Sequence, residues 1–314
     1  MSSIAIPTAE IAKPRSRQQN WNLPRVYAWV AVIIGAGASK ILCSQFGLRP
    51  GVWLPLSETV LLLCFAALVA KQYSANKLAG FIVAIAAANF SWRVAVPWIE
   101  ASRIAHSLSQ HLDWAGQFFL SRAIRTVGAA LMLLTLVGSN IGPRELFLRT
   151  GNWHAPVKPQ SFFPTKWRIS WVHLMVLFLL VAGIVLPAFL FHKLHPQIGR
   201  LYEFFWMLPW AIAISALNAA NEEFQFRSVL LARLRDVVYP RQAILLVAAF
   251  FGLSHYFGQP AGWAGVVMAG GAGWFWAKSM IETRGFTCAF LSHFVQDFVI
   301  FAFLAMSGAS FPKG

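Results

Sequence analysis

Residues 204–227 read FFWMLPWAIAISALNAANEEFQFR, and this stretch holds the two features that decide the fold. From Phe204 to Ala220 the chain is almost uninterruptedly apolar, and as a helix this run would cross most of the roughly 30 Å hydrocarbon core of a bilayer. The adjacent acids Glu222 and Glu223 follow it, and Arg227 comes four residues after Glu223. Ionisable groups in a membrane helix are costly and are functional candidates by default. The stretch therefore predicts a membrane helix that carries buried charge.

The composition of the whole chain supports the same class. Of the 314 residues, 58% are hydrophobic and only 12% are charged, whereas a soluble domain has about 25% charged residues. This excludes a disordered chain, a nucleic-acid-binding domain and an ordinary cytosolic enzyme. We predict an all-α fold, a polytopic transmembrane helical bundle with about 8–9 spans. The apolar segments lie near 26–46, 52–70, 78–97, 117–138, 171–192, 204–226, 242–260, 262–281 and 286–306.

Three regions are predicted along the chain. Residues 1–25 form a polar, basic N-terminal tail, residues 26–165 form N-terminal transmembrane helices without an assigned role, and residues 166–314 form the C-terminal transmembrane helices. The small residues 36–38 resemble a signal-peptidase site. Because the apolar run continues past them, we expect the first span to remain uncleaved.

The formal net charge of +15 is interpreted as a topology signal. With an internal N-terminus, seventeen of the 26 Lys and Arg residues fall on the inner side and seven on the outer side. This bias follows the positive-inside rule, and basic loops also attract anionic lipid headgroups. We therefore expect a multi-pass protein in contact with the lipid bilayer, with a cytoplasmic N-terminus and no nucleic-acid partner. The compact loops favour a bacterial inner membrane.

The spacing of the three charges after the apolar run suggests a division of roles. On a helix, Glu223 and Arg227 are four residues apart with the acid first, which is the better order for an ion pair. Glu222 points about 100° away from Glu223. Glu223 would then be held as a structural pair, and Glu222 would be free to accept a proton. The alternative is that both acids end a helix in the headgroup region without chemical function.

Two later apolar segments contribute imidazoles. His255 lies in the apolar segment 242–260. Glu222 and His255 are equally far along the chain from a turn centred between Val238 and Tyr239. Antiparallel helices on the two sides of that turn would place both side chains at matched depth. His293 and Asp297 are four residues apart in the last segment and share a helix face. Such an Asp can orient the imidazole ring. Together these groups can position and deprotonate a water molecule.

In this order, the residues resemble the signature of the CPBP family of intramembrane proteases, which includes the Rce-type CAAX prenyl endopeptidases and bacterial Abi proteins. The matching motifs are Glu222-Glu223-x-x-x-Arg227 for E-E-x-x-x-R, Phe251-x-x-x-His255 for F-x-x-x-H and His293-x-x-x-Asp297 for H-x-x-x-N/D. The resemblance covers about 204–306, which would be the catalytic core, and nothing in the first 165 residues.

The resemblance implies a bundle of about eight helices and endoproteolysis inside or at the edge of the bilayer. It implies that Glu222 is the general base that activates water, that His255 assists, and that His293 and Asp297 stabilise the oxyanion. The Glu223–Arg227 pair would brace the site. The substrate would be a membrane-associated protein or peptide, and the eukaryotic precedent is a prenylated C-terminal tripeptide.

Asp297 departs from the Asn form of the prenyl proteases. An Asn amide can donate a hydrogen bond to an oxyanion, whereas an ionised Asp cannot. Either Asp297 is protonated at depth, or its role is to orient His293.

The sequence leaves the metal question open. If a divalent metal such as zinc is present, its candidate ligands are Glu222, His255 and His293. The chain has no H-E-x-x-H motif and no pair of His residues at i,i+4. No cofactor is certain, and water activated by glutamate and histidine without a metal fits the same residues and is the preferred version.

Two other functions remain open. One is a non-proteolytic bacteriocin-immunity or scaffold protein of the same fold. The other is an ion- or proton-coupled transporter, in which Glu58, Arg93, Glu222 and His255 would form the path. Transporters usually carry repeats, and the sequence shows none.

Overall fold

The computed structural model describes residues 22–72, 76–159, 169–258 and 260–308. In these residues the regular secondary structure is helical, apart from one isolated antiparallel bridge between Pro156 and Ser170. The predicted all-α fold is therefore confirmed. Most of the predicted N-terminal tail lies outside the described residues, and the division of the rest into 26–165 and 166–314 stays a prediction.

Most helices follow one another with short connections, and the long connection 137–170 separates α8 from α9. In chain order, the α-helices of the described residues are α1 (Asn22–Gly35), α2 (Ala38–Gln45), α3 (Trp53–Gln72), α4 (Asn76–Phe90), α5 (Val96–Glu100), α6 (Arg103–Gln110), α7 (Trp114–Arg125), α8 (Val127–Leu136), α9 (Trp171–Leu194), α10 (Leu201–Trp206), α11 (Leu208–Glu223), α12 (Leu230–Leu234), α13 (Pro240–Ser254), α14 (Gly262–Thr283) and α15 (Thr287–Ser307). The π-helical turns Ser91–Ala95 and Phe224–Val229 join α4 to α5 and α11 to α12. The 3-10 turns Ile198–Arg200 and His255–Phe257 precede α10 and follow α13.

Several of these stretches are long and apolar enough to cross a membrane. Five do so as single stretches in the described residues, and the number rises to seven if each of two bent pairs is one span. The five are Trp53–Gln72, Lys77–Glu100, Trp114–Leu136, Trp171–Leu194 and Thr287–Ser307, and the bent pairs are Leu23–Gly35 with Ala38–Gln45 and Ile198–Trp206 with Leu208–Leu234. The predicted number of 8–9 is roughly consistent with this. The predicted spans that are missing from these seven correspond to α13 and α14, and α13 has only 15 residues.

Two predicted spans are bent rather than straight. The bend of 51° between α1 and α2 falls at Gly37, whose φ of 80° is left-handed and favours glycine. The bend of 79° between the segment ending at Trp206 and α11 falls at Met207. Pro209 lies in the first turn of α11, where its missing N–H is tolerated. The chain can therefore begin a new helix at this point.

The helix α9 presents an apolar face outward. Leu177, Leu180, Val181 and Ile184 lie on one helix face by their spacing, and all are more than half exposed. A continuous exposed apolar face of this size needs an apolar partner. Lipid supplies that partner in a membrane bundle.

Two apolar clusters form the interior. The larger includes residues from α1, α3, α4 and α12 to α14. The smaller joins α7, α11 and α15 around Phe118, Ile214 and Phe301. Side chains of both clusters line a large cavity, which therefore lies between them. The candidate residues of the sequence analysis are found at this cavity.

Candidate active site

The two acids that follow the apolar run are both buried. Glu222 and Glu223 are the last residues of α11, and the π-helical turn Phe224–Val229 continues from them. Glu223 Oε1 lies 3.2 Å from Arg227 Nη1, and both side chains are completely buried. Their spacing in the sequence anticipated this contact.

His293 lies at the centre of the charged groups. Its Nδ1 is 2.8 Å from Glu223 Oε1, and since a carboxylate accepts, the imidazole donates this bond. Its Nε2 is 3.7 Å from Glu222 Oε2 and 3.5 Å from Asp297 Oδ1. The ring also stacks on Trp276 of α14, with centroids 4.1 Å apart and planes at 12°. Residues from three helices thus fix one imidazole.

The sequence analysis did not include the contact between Glu223 and His293. It assigned the orientation of His293 to Asp297, which shares its helix. In the structure, Glu223 holds Nδ1 and Asp297 lies near Nε2. Spacing within α15 gives no information on which side chain of α11 faces it, so this partner required the packed structure.

Phe251 is the aromatic residue of the second motif, and its ring supports Arg227. The guanidinium carbon lies 3.8 Å from the Phe251 ring centroid and 4.8 Å from that of Trp276. Cation–π contacts stabilise a guanidinium that is out of water. Glu223 and the two rings therefore hold Arg227 away from the cavity, which it does not line.

His255 begins the 3-10 turn after α13. Its Nδ1 is 2.9 Å from the Phe251 carbonyl oxygen. A carbonyl can only accept, so Nδ1 carries the proton, and Nε2 of the neutral ring is free to accept one. His255 lines the cavity together with Glu222 and is close enough to it for electrostatic interaction.

Asn218 is a site residue that the sequence analysis missed. Its Nδ2 donates to Glu222 Oε1 at 3.1 Å and to Asp297 Oδ2 at 2.9 Å. The two acceptors fix the amide, and its buried Oδ1 has no hydrogen-bond partner among the described residues. The available signal was its position one helical turn before Glu222 on the same face. Asn218 joins the carboxylates of α11 and α15.

The cavity around these groups has a volume of about 670 Å³. Glu222, His255, His293 and Asp297 all line it, so the structure brings the four predicted catalytic residues to one space. The rest of the lining is largely apolar and comes from α9, α14 and α15. Apolar side chains at this wall include Phe178, Val181, Val185, Met268, Ile300 and Leu304.

The N-terminal helices also reach this cavity. Its lining includes Lys40, Arg93, Glu100, Arg122 and Arg125. From the sequence, these helices were predicted to have a role only in the transport alternative, through Glu58 and Arg93, and Arg122 and Arg125 were not among the predicted site residues.

Glu58 and Arg93 were predicted as members of a transport path. In the structure they form an ion pair with each other, and Ser39 donates a hydrogen bond to Glu58. Arg93 also donates to Asn89 Oδ1 at 2.9 Å. These contacts explain the burial of both charges as a local network.

The predicted metal ligands were tested against the arrangement of their donors. No group of three or more His, Cys, Asp and Glu side chains within the described ranges is arranged to hold a metal ion. Glu223 and the Phe251 carbonyl accept hydrogen bonds from His293 Nδ1 and His255 Nδ1, so Nε2 of each ring would be its metal-binding nitrogen, as is usual for metal-bound histidines. Glu222, His255 and His293 nevertheless do not form a three-ligand group in this arrangement of the described residues.

Comparison with known families gives one match. Residues 204–299, roughly a third of the chain, match the family model described as Type II CAAX prenyl endopeptidase Rce1-like. No curated protein and no solved structure matches the chain significantly. At the level of the family, the match supports a CAAX-type intramembrane protease. The segment 204–299 is thus similar to the Rce1-like type II CAAX prenyl endopeptidases.

Proposed function

We propose that this protein is an intramembrane endopeptidase that hydrolyses a peptide bond of a membrane-associated protein or peptide, with a water molecule activated by Glu222. The observation that carries the proposal is the meeting of Glu222, His255, His293 and Asp297 at one cavity with a largely apolar lining. Such a lining suits a substrate that enters from a bilayer, and the polar groups converge at one part of it.

Glu222 is the general base of the proposed mechanism. Its carboxylate removes a proton from water, and the resulting hydroxide attacks the carbonyl carbon of the scissile bond. Asn218 supports this assignment because it holds one oxygen, Oε1, and leaves Oε2 toward His293. The protonated Glu222 then gives the proton to the leaving amine when the carbon–nitrogen bond breaks. His255 Nε2 accepts a hydrogen bond from the same water and orients it.

His293 stabilises the oxyanion of the tetrahedral intermediate. As an imidazolium, it donates from Nδ1 to Glu223 and from Nε2 to the developing negative charge. Asp297, which accepts a hydrogen bond from Asn218, acts as a positioning residue for His293. Asp297 thus orients His293 and does not act as a protonated donor to the oxyanion. The contacts with the Asn218 amide and with His293 Nε2 support this role.

The substrate class follows the family match. A CAAX-type peptide with a prenyl group places an apolar chain beside a C-terminal peptide, and the cavity offers an apolar wall and a polar site side by side. The proposed location is a bacterial cytoplasmic membrane with the N-terminus inside, which the distribution of cations supports.

The proposal is tested with the purified full-length chain in lipid nanodiscs and a quenched fluorescent, prenylated CAAX-type peptide. Glu222→Gln keeps the shape and removes the base, so we expect kcat to fall by about 100-fold or more. Glu203→Gln is the control because Glu203 is an exposed acid of α10 that is paired with Arg200 at 2.9 Å. The control should keep wild-type activity.

The assay contains EDTA, since the proposed mechanism requires no metal. Full activity of Glu222→Gln would show that this carboxylate is not the base. Activity that disappears in EDTA and returns with zinc would contradict the metal-free mechanism.

A further inference from the structure

The cavity has a cationic wall that the matched segment 204–299 does not supply. Lys40, Arg93, Arg122 and Arg125 line it from the N-terminal helices, together with the single acid Glu100. The same cavity is lined by the four residues assigned to catalysis. The part of the chain without a family match therefore contributes most of the positive charge at the site.

One of these four cations, Arg93, is paired with Glu58 and bonded to Asn89. Lys40, in the first turn of α2, is a single ammonium group that lies 4.5 Å from the Phe257 ring centroid. Arg122 and Arg125 form a pair of guanidinium groups one turn apart on α7.

Arg122 and Arg125 face the candidate catalytic groups without forming an ion pair with them. Arg125 is close enough for electrostatic interaction to Glu100 and Glu222, and Arg122 to Glu222, Asp297 and Glu100. No salt bridge within 4.0 Å involves either arginine among the described residues. Since the cavity lies between these groups, an anionic ligand that enters it can reach the two guanidinium groups directly.

Aromatic rings hold the two guanidinium groups in place. The Arg122 guanidinium carbon lies 4.7 Å from the Phe118 ring centroid, and that of Arg125 lies 5.5 Å from the Trp92 ring centroid. Ring contacts fix a guanidinium without consuming its N–H donors. The buried Nε of Arg125 has no hydrogen-bond partner among the described residues. The ring contacts therefore hold both guanidinium groups in place, and at least this donor of Arg125 is not satisfied.

We infer that Arg122 and Arg125 bind the free α-carboxylate of the peptide substrate and select for a scissile bond close to its C-terminus. This inference rests on the proposed function. The planar guanidinium group matches a carboxylate in a bidentate manner. Three extended residues span at most about 10 Å, so a C-terminal tripeptide keeps its carboxylate near the reacting carbonyl. A lipid phosphate is the less favoured ligand, because at this position it would occupy the space next to Glu222 that the substrate requires.

The test compares two prenylated peptides that differ only in the C-terminal group, a free acid and a carboxamide. The variants are Arg122→Gln, Arg125→Gln and the double variant. Arg103→Gln, an exposed cation on α6, is the control. For the wild type we expect kcat/KM to be about tenfold or more higher for the acid. The double variant should lose this preference, because its KM for the acid should rise by about tenfold more than its KM for the amide.

A second measurement separates this inference from the proposed function. Binding of both peptides is measured without turnover in the Glu222→Gln protein, with and without the double arginine substitution. Preferential binding of the acid that requires the arginines supports the inference even if no cleavage is found. Cleavage of both peptides at equal kcat/KM by the wild type overturns the inference and leaves the protease in place.

Two other outcomes would also overturn it. Equal losses on the acid and the amide would mean that the arginines act on Glu222 and Asp297 or on the fold. If the loss of kcat/KM in the arginine variants depends on the content of anionic lipid in the nanodisc and not on the peptide terminus, the arginines bind a lipid phosphate. Arg122→Lys and Arg125→Lys keep the charge without the planar fork, and for a folded protein they should give an intermediate KM for the acid.

Discussion

At the scale of single residues, Glu223 contacts two basic side chains, Arg227 and His293. The same oxygen, Oε1, lies 3.2 Å from Arg227 Nη1 and 2.8 Å from His293 Nδ1. Because it is completely buried, it has no water to replace either partner. Glu223 therefore links the stability of the bundle to the orientation of His293.

We expect Arg227→Met to lower both the stability and the activity. The substitution strands the carboxylate of Glu223 in a dry site, and breaking a buried ion pair in this way costs about 3–5 kcal/mol. The measurement is the thermal unfolding of the protein in detergent, together with its peptidase activity. Arg200→Met is the control, since Arg200 belongs to an exposed pair with Glu203.

The double variant Glu223→Gln with Arg227→Met removes both charges and should regain part of the stability but not the activity, because His293 loses the negative charge that stabilises its proposed imidazolium form. A melting temperature of Arg227→Met that equals the wild-type value would contradict this account of the pair.

The sequence was informative on residues that share one helix. The spacing of Glu223 and Arg227, and that of His293 and Asp297, placed each pair on one face, because the helical period fixes relative directions within a helix. It could not show that Glu223 contacts His293, or that Asn218 contacts Asp297 as well as Glu222. Both contacts join α11 to α15, and spacing within one helix gives no information on them. An asparagine in an apolar run is also too common a feature to single out.

At the scale of elements, the contact between α13 and α14 sets the position of His255. A Cβ built on Gly265 would lie 1.9 Å from the Pro260 carbonyl oxygen and 3.0 Å from the His255 carbonyl oxygen. A Cβ on Gly252 would lie 2.7 Å from the Val266 carbonyl oxygen. Two backbones thus approach each other where glycine alone permits it. The turn that carries His255 is packed against the start of α14.

Gly265→Ala should therefore displace this turn and reduce peptidase activity by about tenfold or more, because small shifts of catalytic groups have large effects. Gly271→Ala is the matched control on the same helix, since a Cβ there meets no atom within 4 Å. The measurement is kcat for both variants, with thermal unfolding to confirm that they are folded. Wild-type kcat in Gly265→Ala would contradict the importance of this contact.

The sequence predicted where the apolar helices lie but not their irregularities. Each of the nine apolar segments corresponds to helix in the structure. The π-helical turn Phe224–Val229 was not predicted, because its cause is contact with other helices. Within it, Gln225 accepts a hydrogen bond from Trp92 Nε1 at 2.9 Å and donates one to Asn221 at 2.8 Å. Such turns often occur at functional sites, and this one follows Glu223 directly.

At the scale of the whole molecule, the connections between helices form two groups. In one group, Lys77 pairs with Asp236 at 2.7 Å, and the Asn152 N–H donates to the Thr283 carbonyl at 2.8 Å. In the other group, Gln45 contacts Tyr256, and further along the chain the Gln197 N–H donates to the Met306 carbonyl at 3.0 Å. Each group joins connections that the charge distribution assigns to the same side of the membrane. The first group contains the cation-rich connections.

This arrangement predicts which loops are accessible from outside the cell. In a chain whose three cysteines are replaced by alanine, we expect a membrane-impermeant maleimide to label Gly51→Cys in intact spheroplasts and Arg144→Cys only after lysis. Both positions are exposed, so accessibility to the reagent depends on the side of the membrane. The reverse pattern would invert the topology and contradict a cytoplasmic N-terminus.

The two walls of the cavity have a consequence for how such proteins diversify. The segment that matches the family, 204–299, contains the four proposed catalytic residues, whereas Arg122 and Arg125 lie outside it. If the two arginines bind the substrate as proposed, changes in the helices before residue 204 would alter substrate choice and leave the proposed catalytic residues unchanged. Chimeras that exchange the helices before residue 204 would be the natural starting point for engineering new cleavage preferences.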